Sequence, residues 1–544
     1  MNIAIQVRNL KKTFISQSGS NQKVKALDDV SIDIYQGEIL GILGPNGAGK
    51  TTFLNTLSTL LLPDSGTIEI LGIKSVPAQF NRLRKLLNMS SGYPNFPWSL
   101  TVEENLQFYG RLYGLSGKVL TQKIEKLIAM FELNSFAKRR FDELSSGTKQ
   151  RLSLAKALIN DPKIIFLDEP TVGLDPDVSI KTREIVMNVL KKSGLTVLLT
   201  THNMQEAELM CERIAFVKEG KLLDVSTPQD LKRLHGKKDL EEVFVELAGS
   251  KTRAKIDPRV GESHSPENFL AKIPSQKDEN FLLNIFRWFN GCYAFTLRNY
   301  LFALRNLFAF MELIFWPVVS LISIGLLGDY LQLQEKALAF IITGAITAGI
   351  LQVTQLDVAY SLLYEVWSKS VKHTFLTPIG VSENLFGSWI TGMVRGIAIF
   401  CILSVAAVAL FHFKFPPIHV TAIFLFGIFC CALLLGLIVN ILILSFGQKA
   451  EITAWMFAYI FMLICGIYYP IDTLPKFFYH LAQFIPITYF LEYFRQSFGF
   501  VSQFDHLLLK GFGLFFSYLM LGLNLTRLAL SKARQKGILV RLSE

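Results

Sequence analysis

The sequence predicts an α/β domain in its first half, followed by an all-α membrane domain of six spanning helices. Three observations carry this: strand-like and helix-like segments alternate over residues 1–248, a glycine-rich phosphate-binding turn lies early among them, and six long apolar runs fill the second half. Apolar residues make up 51% of the 544-residue chain and are placed unevenly, so a single soluble core is excluded and at least two domains are required.

The opening stretch "MNIAIQVRNLKKTF" alternates like a strand and shows none of the basic, apolar and cleavage regions of a secretory leader. The first half is therefore expected in the cytoplasm. "GILGPNGAGKTTFL" then follows the strand-like "GEIL" and opens a helix, which places G-x-x-x-x-G-K-T between a strand and a helix. Gly44, Pro45, Asn46, Gly47, Ala48, Gly49, Lys50, Thr51 and Thr52 form the predicted nucleotide-binding stretch of an α/β P-loop NTPase domain. Its glycines let backbone N–H groups converge on phosphate oxygens, Lys50 supplies a point charge, and the Thr51 hydroxyl is placed to ligate Mg²⁺.

Downstream, "KIIFLDEP" is an apolar strand ending in two carboxylates. Adjacent strand residues point to opposite faces, so Asp168 is expected to hold Mg²⁺ and Glu169 to polarise an attacking water. "LLTTHN" delivers His202 to the same edge of the sheet, where it is placed to contact the γ-phosphate or orient water. Phe14 is placed to stack on adenine, with a core role as the alternative. "LSSGTKQR" is a small-residue turn at a helix start, an anion-binding end suited to a phosphate.

With "GPNGAGKTT", "LSSGTKQR", "IIFLDEP", "GLDPD" and "TTHN" in this order, the first 250 residues resemble the nucleotide-binding domain of ATP-binding cassette (ABC) transporters, that is, an ABC ATPase fold. The resemblance implies that the signature turn, with Ser145, Ser146 and Gly147, closes over ATP held by a second nucleotide domain, and that Asp175 of "GLDPD" lies at the same interface. It also implies ATP and Mg²⁺ as cofactors and either a second copy of the chain or a paralogous half-transporter as partner. Two departures stand out. Ser146 and Thr148 replace residues that are commonly Gly and Gln, and the stretch from Asn81 to Leu106 contains no glutamine, although the family has one there. Ser90, Ser91 and Asn95 are the polar residues available in its place.

After the closing helix "DLEEVFVEL", residues 249–280 are charged and Pro-containing and read as a linker by composition. Residues 281–306 mix aromatics with Arg287, Arg298 and Arg305, as an interfacial helix does. Residues 307–544 form the membrane domain, with spans expected near 309–328, 337–358, 385–411, 419–445, 452–469 and 505–530. The Pro-broken stretch from Tyr468 to Phe500 is expected to be re-entrant or interfacial. Basic residues in the loop holding Lys369, Lys372 and His373, and at the C-terminus, put both termini on the cytoplasmic side. This positive-inside pattern accounts for the net charge of +11 without nucleic acid.

This half resembles the permeases of type-2 ABC exporters, and the two halves together resemble a half-transporter of White-type or antibiotic-resistance-exporter-like architecture. The resemblance implies a coupling helix within Glu365 to Pro378 and ATP-driven export of a hydrophobic or amphiphilic, lipid-linked or drug-like substrate through membrane lipid. A polysaccharide exporter and a non-transporting ATP-gated regulator are the alternatives. Arg395 and Glu312 are charges within expected spans, open to either a pathway or an interface role. The six scattered cysteines lack the spacing of a disulfide or zinc framework.

Overall fold

The computed structural model of the chain describes residues 2–15, 23–249 and 281–543, with the side chains of 189–193, 248–249, 307–310 and 312–313 outside the description. Apart from Gly249, the expected linker lies outside the described residues. The chain forms two compact units, one of residues 1–290, 368–379 and 533–544 and the other of 291–367 and 380–532.

The first unit contains two sheets. Strands β1 (Ile3–Ile15), β2 (Lys23–Tyr35), β4 (Ser65–Ile70) and β5 (Ile73–Lys74) form an antiparallel sheet in the order β2-β1-β4-β5. Strands β3 (Ile39–Leu43), β6 (Leu87–Ser91), β7 (Ile164–Asp168), β8 (Thr196–Thr201), β9 (Arg213–Lys218) and β10 (Lys221–Ser226) form the second, ordered β10-β9-β3-β8-β7-β6. All pairs in it are parallel except β9 with β10. Every residue of β3, β7 and β8 is buried, which is why "ILGIL" and "IIFLD" read as unbroken apolar runs rather than alternating ones.

Helices start where side chains or glycine can satisfy free backbone groups. Helix α1 (Lys50–Leu57) begins after Gly49 in a left-handed conformation. Helix α2 (Val102–Leu112) opens on a capping box in which Thr101 Oγ1 accepts from Glu104 N at 3.2 Å and Glu104 Oε2 accepts from Thr101 N at 2.8 Å. Helix α3 (Ser146–Ala157) is capped by Ser145.

Residues 281–305 form helix α4 (Phe281–Arg305). The second unit is then helical: α5 (Leu307–Tyr330), α6 (Glu335–Trp367), α7 (Val381–Phe411), α8 (Ile418–Phe446), α9 (Thr453–Ile464), α10 (Pro486–Gln496) and α11 (Leu507–Lys536). Among the described residues, four of these helices are long and apolar enough to cross a membrane, namely α6, α7, α8 and α11. The other two runs expected to span lie in α5 and α9. The apolar part of α5 with described side chains covers only Ile314–Tyr330, and α9 has 12 residues, about 18 Å against a hydrocarbon core of about 30 Å. The reason lies just beyond α9. Gly466 turns with φ +68°, and Arg495 of α10 donates to the carbonyls of Gly466 (2.7 Å) and Ile467 (2.6 Å), which diverts the backbone out of the helix. Residues 471–496 continue as short helical segments, none of spanning length.

Small residues set how closely the long helices approach. A Cβ added to Gly436 of α8 would lie 2.3 Å from Val358 Cγ1 of α6, and one added to Gly392 of α7 would lie 2.9 Å from Thr354 O of α6. Polar groups at these crossings are paired across helices: Asn440 Nδ2 donates to Val358 O at 3.0 Å, and Ser361 Oγ donates to Asn440 Oδ1 at 3.2 Å. Arg395 lies on α7 and pairs with Asp357 of α6, with only 21% of its side chain exposed. The charge expected to sit at an interface or in a pathway is thus held by a carboxylate inside the helical unit. The Glu312 side chain lies outside the described residues. Gly436→Val is expected to lower stability by about 1–3 kcal/mol through overpacking against Val358, read as a drop in the thermal midpoint of the purified protein relative to Gly513→Val, where a Cβ meets nothing within 4 Å.

Candidate functional site

The parallel register aligns the carboxyl ends of four strands. Leu43 of β3 pairs with Thr201 of β8, and Asp168 of β7 pairs with Thr200 of β8 and with Ser91 of β6. Loops leaving these ends converge on one edge, the usual place for ligands in such sheets.

The loop after β3 has a backbone that only glycine permits at two points. Gly49 has φ +105° and a Cβ there would fall 2.2 Å from Ala26 O, while a Cβ on Gly44 would fall 2.0 Å from Val217 O. Pro45, Asn46 and Gly47 are exposed, Ala48 is buried, and Thr52 is half-buried on the first turn of α1. Lys50 Nζ donates back to Gly44 O at 2.7 Å and Pro45 O at 3.1 Å, and lies 3.7 Å from Glu169 Oε1. Burial lowers the Lys50 pKa, and the Glu169 and Asp168 carboxylates oppose that shift.

Asp168 Oδ1 accepts from Thr51 Oγ1 at 3.3 Å and from Thr200 Oγ1 at 2.7 Å. Thr51 and Asp168 therefore sit together, as a shared cation site requires. Glu169 has φ +49°, uncommon for a residue with a side chain, and its N–H donates to Thr200 O (3.0 Å) and Oγ1 (3.1 Å). That twist aims the carboxylate sideways, with Oε2 3.3 Å from His202 Nδ1 and the other oxygen toward Lys50. Half of the His202 side chain is exposed.

Glu206 is a positioning residue that the motifs did not reveal. Its carboxylate accepts from Thr171 Oγ1 at 2.5 Å and Thr201 Oγ1 at 2.8 Å, joining the loop after Glu169 to the loop carrying His202. Asn203 caps the helix Met204–Met210 by accepting from Glu206 N at 3.0 Å. The available signal was that cap, an Asn followed three residues later by Glu.

Two family profiles match this chain, ABC transporter over residues 27–172 and ABC-2 type transporter over residues 290–499. The Nod factor export ATP-binding protein I of Rhizobium sp. (strain N33) is 38% identical over 242 residues, which cover 44% of this chain and 77% of that protein. This chain belongs to the ABC transporter family. It carries an ABC ATPase cassette and a type-2 permease region on one polypeptide, the organisation of a half-transporter. ABC transporter A family member 8 of Arabidopsis thaliana is 37% identical over 235 residues, and the "Probable multidrug ABC transporter ATP-binding protein YbhF" of Escherichia coli (strain K12) is 40% identical over 229 residues. The chain spans 26% and 39% of the length of these two relatives.

In the cassette of this ABC protein, Ser145 and Ser146 are exposed and Gly147 is buried, with Ser145 Oγ accepting from Thr148 N at 3.3 Å. A Cβ on Gly147 would lie 2.5 Å from Val178 Cγ1. Asp175 is exposed at the start of the helix Pro176–Ser193. Phe14 is half-buried at the end of β1, with Lys12 Nζ 5.6 Å from its ring centroid. The segment 533–543 passes beside it: Lys12 Nζ donates to Gln535 O at 2.7 Å, and a Cβ on Gly537 would lie 3.0 Å from Phe14 Cε1.

At the β6 end, where the family's glutamine is absent, the candidates separate. Ser90 is fully buried and bonded to Ser153 Oγ at 2.8 Å, so it does not face the edge. Ser91 lies in register with Asp168, and Asn95 is half-buried further along. Gly92 leaves no space for a side chain, since its Cβ would sit 2.4 Å from Glu169 O. Tyr93 follows it, 68% exposed and 3.7 Å from where a Cβ of Gly173 would lie. Tyr93 escaped sequence reasoning because an exposed tyrosine carries no motif.

The expected coupling helix is shorter than its 14-residue window: the helix is Val371–Phe375, and Glu365 remains in α6. Within the cassette unit its His373 ring stacks on Phe96 at 4.8 Å, and Nδ1 lies 3.3 Å from Lys156 Nζ, which donates to Asn88 Oδ1 at 2.9 Å. Burial pushes Lys156 down to about 7. Burial and the Lys156 and Lys372 charges hold His373 well below the ordinary imidazole value. A depressed pKa on a cationic group means that the solvated state takes up the proton more readily, so acid favours undocking. Docking is expected to strengthen as pH rises above 7, through Lys156, and to weaken as pH falls below 6.5, through His373. The unaltered protein is expected to lose thermal midpoint between pH 6.5 and 5, and His373→Phe, which keeps a ring against Phe96, is expected to flatten that fall.

Proposed function

We propose that this chain is an ATP-driven exporter that works as a dimer, each copy closing its signature turn over the nucleotide bound by the other, and that it moves an amphiphilic substrate across the cytoplasmic membrane. One observation carries the reading. A single chain supplies one complete phosphate-binding edge, one exposed signature turn and a set of membrane-length apolar helices, so two copies make two full sites. The loops and termini next to the cassette lie on the cytoplasmic side in this reading.

Within each site, Phe14 stacks on adenine and residues 44–52 cradle the phosphates. Thr51 and Asp168 would hold Mg²⁺, which supplies charge neutralisation on the phosphates when bound. Glu169 accepts the proton of the attacking water as the P–O bond to ADP breaks and a new one forms to the water oxygen. His202 holds the Glu169 carboxylate in place and reaches the γ-phosphate. Ser145, Ser146, Gly147 and Asp175 meet the nucleotide of the partner copy. Ser91 is the hydroxyl of β6 nearest the metal edge. The Val371–Phe375 helix, docked through His373, passes cassette movement to the spans.

A second reading, an ATP-gated regulator that binds without turnover, is favoured by one observation, the absence of a glutamine between Asn81 and Leu106. Mg²⁺-dependent ATPase activity in lipid nanodiscs decides between them. The exporter reading expects turnover in the unaltered chain, a loss of at least about 100-fold in Glu169→Gln with nucleotide binding retained, and loss of binding in Lys50→Ala. Binding without turnover in the unaltered chain overturns it in favour of the regulator.

A further inference from the structure

In the helical unit, an ion pair sits in the wall of an open cleft. Arg395 of α7 donates to Asp357 Oδ1 of α6. The Asp357 side chain is 4% exposed, and its second oxygen, Oδ2, is buried with no hydrogen-bond partner among the described residues. The cleft that Asp357 lines has about 480 Å³ of atom-free space, part of it continuous with the outside. Its walls include the aromatic rings of Trp316, Tyr360, Tyr364 and Trp455 from α5, α6 and α9.

Those features select a chemistry. A carboxylate oxygen accepts only, so a buried unpaired one is stabilised by an N–H donor, most strongly by a charged one. Aromatic faces attract a cation and also pack its hydrocarbon portion. Arg395 already meets one oxygen, leaving the other without a donor. We propose that this cleft binds an amphiphile whose head is a protonated amine, with the ammonium on Asp357 Oδ2 between aromatic walls and the apolar chain along Val353, Leu356 and Pro317. The site is where the exported molecule is recognised; it rests on the exporter reading for that role but not for binding itself.

The test uses the full chain in nanodiscs at pH 7, with radiolabelled dodecylamine as the cationic probe and N-dodecylacetamide as its neutral counterpart, binding to empty nanodiscs being subtracted. The unaltered protein is expected to prefer the amine. Asp357→Asn is expected to weaken amine binding about tenfold while changing acetamide binding less than about twofold. Asp357→Glu, which keeps the charge, is expected to retain the preference and shows that loss in the amide variant is not misfolding. Amine binding unchanged in Asp357→Asn, or weakened equally with the acetamide, overturns the site. ATP-driven uptake into inside-out vesicles separates the two readings. Asp357-dependent binding without ATP-driven movement sinks the exporter and leaves the site standing. ATP-driven movement of both probes without dependence on Asp357 sinks the site and leaves the exporter.

Discussion

Asp168 Oδ1 accepts hydrogen bonds from Thr51 at the start of α1 and from Thr200 on β8. A nearly buried carboxylate in that position needs donors, and the donors it has belong to the phosphate loop and to the neighbouring strand. Its junction fixes the spacing of β3, β7 and β8 at their carboxyl ends. The backbone of Glu169 is then turned over by two bonds to Thr200, which points its side chain between Lys50 and His202. Moving Asp168 would displace each of these groups together.

Strain and close approach concentrate at the same edge. Glu169 has a left-handed backbone, Gly44 and Gly49 touch carbonyls of neighbouring segments, and Gly92 fits against the Glu169 carbonyl. Such conformations persist where surrounding contacts over-determine them. Here Glu206 supplies part of that support through Thr171 and Thr201. The nucleotide edge is thus held by buried hydroxyl–carboxylate bonds, while Ser145, Ser146 and Asp175 are exposed.

Buried charge is handled in two ways. In the cassette unit, Lys156 meets amide and carbonyl acceptors and the His373 ring, with no carboxylate bonded to either among the described residues, and burial presses both toward their neutral forms. In the helical unit, Arg298 is paired with the fully buried Glu365, and Arg395 with Asp357. These charges are matched in pairs, and the acceptor left over on Asp357 is the group that the proposed recognition uses.

By itself the sequence determined what depends on local spacing. The order of the five motifs, the glycines at left-handed positions, the caps at Thr101 and Ser145 and the uninterrupted apolar strands are properties of short windows, and they specified the cassette and the phosphate edge. It also located the long apolar helices, because length and composition set what can cross a membrane. Tertiary structure alone decided the contacts between distant residues. Ser90 is taken by Ser153, 63 positions away, Arg395 is taken by Asp357, 38 positions away, and His373 reaches Lys156 across 217. It also shortened α9, since Arg495 captures the carbonyls of Gly466 and Ile467 from 29 and 28 positions away. A hydrogen bond or ion pair depends on where two backbones come together, and no local pattern encodes that meeting.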